Sequence, residues 1–208
     1  MKLKVCGLTQ ISQIHELIKM RVDFLGFIFY EPSPRYVLNS IALKDIANAK
    51  HPAKVGVFVN ESVKQLASIA NTAKLHYVQL HGDENKAYLQ ELRNELDSNI
   101  HIAKTFRISE QETALQSQLN EFTPHVDYFL FDTDSKQYGG TGKRFDWQIL
   151  NSLTLRKPYL LSGGISPQNR KELDKIDSKP FALDINSKFE TKPGIKDLDK
   201  IRKFYENL

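Results

Sequence analysis

Eight short apolar segments recur at nearly even spacing along the 208-residue chain, and this repetition constrains the fold more than any other feature. Their starts lie about 21 to 31 residues apart, which is roughly the length of one strand, one three-turn helix and two short loops. Each segment is rich in β-branched and aromatic residues, which favour strands. The segments span residues 3–6, 24–30, 54–59, 77–80, 101–106, 128–131, 159–161 and 181–185.

The stretches between these segments carry apolar residues at helical spacing. Residues 11–20 place them at i, i+3, i+6 and i+7, and similar stripes run through residues 62–73, 85–96 and 196–205. Thr9 is predicted to cap the first helix, and Ser166 followed by Pro167 is predicted to begin another. Strands that alternate with helices pair in parallel through right-handed crossovers, so the pattern predicts an α/β protein.

Eight strand–helix units predict a (β/α)8 TIM barrel, formed as a single domain over residues 1–208. Several strands are apolar at consecutive positions, as expected when helices cover the outside of a barrel and side chains fill its inside. A doubly wound open sheet is the alternative. The chain shows no linker or low-complexity tract that would divide it into two domains.

Composition argues against several classes of function. The 29 basic and 25 acidic residues give a net charge of +4, and no run of five or more Lys/Arg supports nucleic-acid binding. No apolar run reaches the roughly 20 residues that span a bilayer, and residues 1–4 lack the apolar core of a signal peptide. Cys6 is the only cysteine, so we expect a reducing compartment, the cytoplasm.

The residues that follow the strands of a barrel form one rim, and that rim carries the active site in such proteins. Cys6 ends the first strand, which favours chemistry, although burial as a small hydrophobe is the alternative. Asp132 ends the sixth strand, where a partly buried carboxyl suits a general acid, or else caps a turn. Arg35 lies in a proline-stiffened loop and is either a bidentate carboxylate ligand or an ordinary surface arginine.

Two small-residue loops are candidates for phosphate binding. Gly163 and Gly164 follow the seventh strand and lead into a helix, so their N–H groups are placed to receive an anion. Asn186 and Ser187 follow the eighth strand and add side-chain donors. An ordinary Gly-Gly turn is the alternative. The glycine-rich stretch 138–143 fails the P-loop pattern and is predicted to be a lid, or else a plain surface loop.

The histidines offer no metal site. His81 follows the fourth strand and is placed to contact a substrate, but it has no His, Cys or Asp partner at ligand spacing. A single rim histidine does not make a metal site, and the sequence contains neither a dinucleotide-binding fingerprint nor a nucleophile elbow.

Taken in order, these pieces resemble the phosphoribosylanthranilate isomerase family. The resemblance runs from residue 4 to about residue 200, and the ordered combination is far more specific than any single motif. One segment departs, because Asn186-Ser187-Lys188 stands where the family often shows Ser-Ser-Gly. The matching segments are Lys4-Val5-Cys6-Gly7-Leu8-Thr9, Gly26-Phe27-Ile28-Phe29, Ser33-Pro34-Arg35-Tyr36, Val55-Gly56-Val57-Phe58-Val59-Asn60, Val78-Gln79-Leu80-His81-Gly82, Asp132, Gly139-Gly140-Thr141-Gly142-Lys143, Phe145-Asp146-Trp147 and Leu161-Ser162-Gly163-Gly164.

The resemblance implies an Amadori rearrangement of N-(5'-phosphoribosyl)anthranilate in tryptophan biosynthesis, without cofactor or metal. It implies a small phosphorylated substrate as partner, no nucleic acid or membrane, and a monomer or homodimer. Cys6 would be the general base and Asp132 the general acid. The implied substrate contacts are Arg35, Gln79, His81 and Asp184, and the implied phosphate contacts are Gly163, Gly164, Asn186 and Ser187.

Two alternatives of different kinds remain open. A related phosphate-binding barrel, such as indole-glycerol-phosphate synthase or a histidine-pathway sugar isomerase, would use a Lys/Glu pair or paired aspartates at the rim. The sequence places Cys6 and Asp132 there and predicts no Lys/Glu pair. A non-catalytic phosphosugar-binding protein would keep the Gly163-Gly164 loop but would have no need of Cys6 and Asp132.

Overall fold

The protein folds into a barrel of parallel strands that pair in sequence order. The computed structural model describes residues 1–108, 114–133 and 145–208, and its first and last strands pair with each other, so the sheet is closed. This confirms the predicted TIM barrel over the open sheet. The strands are β1 (Lys2–Val5), β2 (Phe24–Ile28), β3 (Lys54–Phe58), β4 (Tyr77–Leu80), β5 (His101–Ile108), β6 (Tyr128–Thr133), β7 (Tyr159–Leu161) and β8 (Ala182–Ile185).

Helices connect the strands on the outside of the barrel. The four helices predicted from apolar spacing are confirmed within two residues at each end. After β6 and β7 the chain instead forms 3₁₀ helices, Trp147–Ser152 and Pro167–Lys175. The α-helices of the described residues are α1 (Ile11–Lys19), α2 (Leu43–Asn48), α3 (Val63–Thr72), α4 (Lys86–Glu95), α5 (Leu115–Phe122) and α6 (Leu198–Tyr205). None of them is long and apolar enough to cross a membrane.

The two predicted helix starts have different outcomes. Ser166 and Pro167 do begin a helix, with a capping box formed between Ser166 and Asn169. The prediction that Thr9 caps α1 is wrong, because Gln10 occupies the N-cap position. The Thr9 hydroxyl instead donates to the carbonyl of Gly194, 2.7 Å away, so a long-range partner has displaced the local cap.

A short antiparallel hairpin after β8 was not predicted. It consists of β9 (Glu190–Lys192) and β10 (Ile195–Lys196). The side-chain amide of Gln13 on α1 donates to the carbonyl of Lys196 and accepts from its N–H, both at 2.8 Å. These two bonds attach the hairpin to α1, and they bring Glu190 and Lys196 towards the end of β1.

The inner face of the barrel changes from apolar to polar along three strands, β4, β6 and β8. One apolar cluster, distinct from the core between sheet and helices, includes Leu130 and Ala182, with Tyr77 packed against it. Successive side chains of a strand alternate between faces, so residues two positions further on share the inner face. Those residues are Asp132, Asp184 and Gln79. These three polar side chains therefore form a layer next to the apolar cluster inside the barrel.

The predicted lid at 138–143 lies outside the described residues.

Candidate active site

Cys6 and Asp132 both lie at the carboxyl-terminal end of the barrel. Cys6 follows β1 directly and is only 5% exposed. Asp132 belongs to β6, and its side chain is 16% exposed. The Cys6 thiol is thus enclosed, whereas the Asp132 carboxyl is partly open to solvent. Both lie on the rim that carries the active site in barrel enzymes.

The surroundings of the Cys6 thiol act on it in opposite directions. Burial raises its pKa above the ordinary value for a thiol, while the ammonium groups of Lys4 and Lys196 act to lower it. Burial also acts to lower the pKa of Lys4, but the Asp184 carboxylate and the thiolate form of Cys6 outweigh it and raise that pKa. Lys4 is therefore a cation, and the Cys6 thiol carries its proton at neutral pH.

Lys4 is the centre of a buried polar network inside the barrel. Its Nζ donates to Asp184 Oδ2 at 2.8 Å and to Gln79 Oε1 at 2.5 Å. The amide nitrogen of Gln79 lies 3.0 Å from His81 Nδ1, and the hydroxyl of Thr105 lies 3.2 Å from the same atom. The network thus joins β1 to β4 through Gln79 and to β8, the last strand of the barrel, through Asp184.

Asp132 lies at the far end of this network. Its Oδ2 is 3.4 Å from His81 Nε2, and its Oδ1 accepts from the N–H of Thr133 at 2.8 Å. Gly163 lies against it, since a Cβ on Gly163 would come within 3.0 Å of Asp132 Oδ1 and 2.4 Å of Thr133 Oγ1. Only glycine permits this approach, and its φ of +84° also favours glycine.

Arg35 is held by an acidic side chain from the hairpin. Its Nε contacts both carboxylate oxygens of Glu190 at 3.0 Å, and its Nη2 donates to Oε2 at 2.6 Å. Lys196 Nζ donates to Glu190 Oε1 at 2.7 Å and to Asn186 Oδ1 at 2.8 Å. Although burial acts to raise the pKa of Glu190, Arg35 and Lys196 together lower it.

The expectation that no Lys/Glu pair stands at the rim is therefore wrong. The Lys196–Glu190 pair reaches the rim because the hairpin folds back over the end of β1. A methyl group on Gly7, next to Cys6, would come within 2.8 Å of both Arg35 Cδ and Asn186 Oδ1. Arg35 and Asn186 are thus placed beside Cys6 by the same cluster.

The Gly163-Gly164 loop is ordered by its own helix. Asn169 Nδ2 donates to the carbonyl of Gly164 at 2.8 Å, and Asn169 Oδ1 accepts from the N–H of Ser166 at 3.0 Å. Within the described ranges, no hydrogen bond takes up the backbone N–H groups of Gly163 and Gly164. Ser187 begins the 3₁₀ helix Ser187–Phe189 and is half-buried. These features are suited to holding an anion.

Three charged residues near Cys6 were missed by sequence reasoning. Lys4 could have been found, since a lysine two positions before Cys6 in an apolar strand must share its face. Glu190 and Lys196 gave no such signal, because their placement depends on the hairpin and on Gln13. No group of three or more His, Cys, Asp or Glu side chains in the described part of the chain could hold a metal ion.

The closed barrel, with reactive and charged groups gathered at the carboxyl ends of its strands, defines a (β/α)8-barrel enzyme. The family model of N-(5'-phosphoribosyl)anthranilate (PRA) isomerase matches residues 3–207. An N-(5'-phosphoribosyl)anthranilate isomerase of Parabacteroides distasonis is 39% identical over 100% of this chain and 93% of its own length. The chain therefore belongs to the phosphoribosylanthranilate isomerase family.

Solved structures of this family have the same fold. The crystal structure of phosphoribosyl anthranilate isomerase from Thermotoga maritima has a TM-score of 0.82 and 31% identity, covering 99% of this chain and 97% of that one. A further phosphoribosyl anthranilate isomerase structure is in complex with reduced 1-(o-carboxyphenylamino)-1-deoxyribulose 5-phosphate. It has a TM-score of 0.78 and 29% identity, covering 99% and 97% of the two chains.

Proposed function

We propose that this protein converts N-(5'-phosphoribosyl)anthranilate into 1-(2-carboxyphenylamino)-1-deoxyribulose 5-phosphate in tryptophan biosynthesis, by general acid–base catalysis. Full-length membership of the family supports the reaction. The observation that carries the mechanism is the direct contact between the glycine loop and Asp132, on the rim that also holds Cys6. A phosphate held at that loop would bring the attached ribose next to both reactive groups.

In the first step, Asp132 donates its proton to the ring oxygen of the ribose. The C1'–O bond breaks and the anilino nitrogen supplies the electron pair that forms the C=N bond of a Schiff base. Asp132 suits this role because its carboxyl is largely buried, with 16% of the side chain exposed at the mouth of the barrel. Its Oδ1 is held by the N–H of Thr133, which limits rotation of the side chain.

In the second step, the Cys6 thiolate removes the proton from C2', which the neighbouring iminium acidifies. The electrons of the C–H bond form the C1'–C2' double bond while the π electrons of the C=N bond return to nitrogen, which gives an enolamine. The enolamine becomes the ketone when C1' takes up a proton and the C2' hydroxyl loses one. Burial raises the pKa of the thiol, so the group is protonated at rest and must give its proton to solvent before it can act as a base. Lys4 and Lys196 favour this loss, since each places a cation near the thiolate. Hydrogen moves within the substrate, so no external oxidant is needed.

Two anionic ends of the substrate would be held apart across the rim. Arg35 would hold the anthranilate carboxylate, and its Nη1 has no hydrogen bond to any described residue. The N–H groups of Gly163 and Gly164, with Ser187, would hold the phosphate. Asn186 is already engaged by Lys196, so any contribution it makes to phosphate binding would come through its remaining amide nitrogen.

Gln79 and Asp184 were predicted to contact the substrate directly. Both are buried, at 2% and 6% exposure, and both bind Lys4. Asp184 Oδ1 has no hydrogen-bond partner among the described residues, so a role towards a substrate hydroxyl stays a prediction. The single-domain organisation and the choice between monomer and homodimer also stay predictions.

The test is turnover of freshly prepared N-(5'-phosphoribosyl)anthranilate, followed by loss of the fluorescence of the anthranilate adduct. We expect the fluorescence to fall at a rate proportional to the protein concentration, with many substrate molecules consumed per protein molecule. The product should have the same mass as the substrate, because the reaction is an isomerisation. A non-catalytic phosphosugar-binding protein would bind the compound without consuming it. A protein with indole-glycerol-phosphate synthase activity alone would leave this compound unconsumed and would release CO₂ only when the ketose is supplied in its place. Either result would overturn the proposal.

A further inference from the structure

We propose that Gln79 is a positioning residue that fixes the tautomer of His81, so that a neutral imidazole presents its Nε2–H to Asp132. This inference rests on the proposed function in one respect, the acid role of Asp132. The tautomer itself follows from the contacts inside the barrel and does not depend on the substrate.

Lys4 determines which way the Gln79 amide faces. An ammonium group has only donors, so the atom of Gln79 that lies 2.5 Å from Lys4 Nζ must be the carbonyl oxygen. The amide nitrogen then faces His81, at 3.0 Å from Nδ1. Rotating the Gln79 amide by half a turn would point its NH₂ group towards the Lys4 ammonium, so that donors would face donors. Since Lys4 is 0% and Gln79 2% exposed, water could not compensate for that loss.

The orientation of Gln79 determines the protonation of His81. The amide nitrogen can only donate, so Nδ1 must accept and cannot carry a proton. Thr105 Oγ1, 3.2 Å from the same nitrogen, can donate to it as well. A neutral imidazole has one donor and one acceptor, so the proton lies on Nε2. That nitrogen faces Asp132 Oδ2 at 3.4 Å.

This arrangement suits an acid that must become a carboxylate during the reaction. When Asp132 gives its proton to the ribose ring oxygen, negative charge develops on its oxygens. An Nε2–H already aimed at Oδ2 stabilises that charge, and the long contact can shorten as the charge forms. A neutral His81 supplies this hydrogen bond without adding a charge next to Asp132.

The first measurement is the ¹⁵N NMR spectrum of the histidine rings at neutral pH, with His81 assigned by its loss in His81→Asn. In the wild-type protein we expect an unprotonated Nδ1 and a protonated Nε2. In Gln79→Glu, a carboxylate oxygen would replace the amide donor and demand a proton on Nδ1. We expect Nδ1 of His81 to become protonated, and kcat to fall about tenfold or more with a smaller change in KM.

A second variant and a control separate the tautomer from packing. Gln79→Met keeps the bulk without the donor, so the exclusive preference for one tautomer should be lost. Gln90→Glu makes the same chemical change as Gln79→Glu on the exposed side of α4, and should leave both the spectrum and turnover unchanged. A merely structural role of Gln79 would lower stability without moving the proton between ring nitrogens.

The outcomes decide the two proposals separately. A protonated Nδ1 in the wild-type protein would overturn the inference, even if neither Gln79 variant folds. An unchanged His81 spectrum in a folded Gln79→Glu protein would overturn it as well. If the spectra are as expected but Asp132→Asn retains full turnover, the tautomer assignment stands and the acid role of Asp132 is wrong.

Discussion

At the scale of single residues, Cys6 shows how position and environment together set chemical character. Burial favours its thiol form, and two buried cations from different ends of the chain favour the thiolate. The reactivity of this sulfur therefore depends on charges that lie beside it only in the folded protein. The same residue in an unfolded chain would titrate as an ordinary thiol.

A direct titration checks the sign of this effect. Burial is the larger influence, so the pKa of Cys6 is raised, and thiolate should form at higher pH in the folded protein than in the unfolded chain. Because Cys6 is the only cysteine, its alkylation by iodoacetamide can be followed by mass spectrometry. The pH midpoint of the alkylation rate should lie above that measured in denaturant. An equal or lower midpoint would contradict the prediction.

Cys6→Ser tests the proposed base. A hydroxyl is a far weaker base than a thiolate near neutral pH, so kcat should fall by about 100-fold or more while the fold is kept. Steady-state kinetics and circular dichroism together measure this. A variant with kcat close to that of the wild type would remove Cys6 from the mechanism.

Asp132→Asn tests the proposed acid. The amide is nearly isosteric but has no proton of suitable acidity, so kcat should fall by about 100-fold or more, with a smaller change in KM. Asp174→Asn is the matched control, because Asp174 is exposed on the 3₁₀ helix after β7. Its kinetics should equal those of the wild type. Equal rates in both variants would show that Asp132 is not the acid.

At the scale of elements, the loop after β7 links the proposed phosphate site to the proposed general acid. Gly163 packs against Asp132, and no backbone hydrogen bond within the described residues takes up the N–H of Gly164. Asn169 of the following 3₁₀ helix holds this loop in place through the Gly164 carbonyl. The element that would hold phosphate is thus rigidly connected to the residue that would donate the proton.

Gly164→Val should weaken phosphate binding. Its φ of +75° is disfavoured for a branched side chain, so the loop backbone should shift and its N–H groups turn away from the anion. KM should rise, and inorganic phosphate should compete less well with the substrate than in the wild type. Ser187→Ala removes one donor without backbone strain and should change KM in the same direction. Equal phosphate competition in all three proteins would place the phosphate elsewhere.

At the scale of the whole molecule, a buried ion pair joins the two ends of the sheet. Lys4 on β1 and Asp184 on β8 are neighbours in register, and their charged atoms lie 2.8 Å apart. Their side chains are 0% and 5% exposed. Closure of the barrel therefore completes a polar network that neither strand could form alone.

Removing one partner of this pair should be costly. Lys4→Met would leave the Asp184 carboxylate buried without a counter-ion, and the free energy of unfolding should fall by about 3–5 kcal/mol. The double variant Lys4→Met/Asp184→Asn removes both charges and should recover part of this loss. Urea unfolding of the two single variants and the double variant measures the coupling. Additive losses would show that the pair does not stabilise the closed barrel.

Strand and helix periodicities determined the architecture, because each is a local pattern that a few consecutive residues carry. The eight apolar segments predicted all eight strands, and the place of Cys6 and Asp132 at strand ends predicted that they share a rim. The sequence was least informative after β8, where residues 190–196 form a hairpin in place of a simple loop. Nothing in that segment indicates that Gln13 will bind it.

The sequence by itself thus determined the fold and which strand ends carry reactive groups. Only the tertiary structure decided that Glu190 binds Arg35, that Thr9 binds Gly194, and that Lys4 orients Gln79. These partners lie far apart in the chain, 155 residues in the case of Arg35 and Glu190 and 75 in the case of Lys4 and Gln79. Their contacts depend on how the closed barrel directs side chains inward, and no local spacing in the sequence records that geometry.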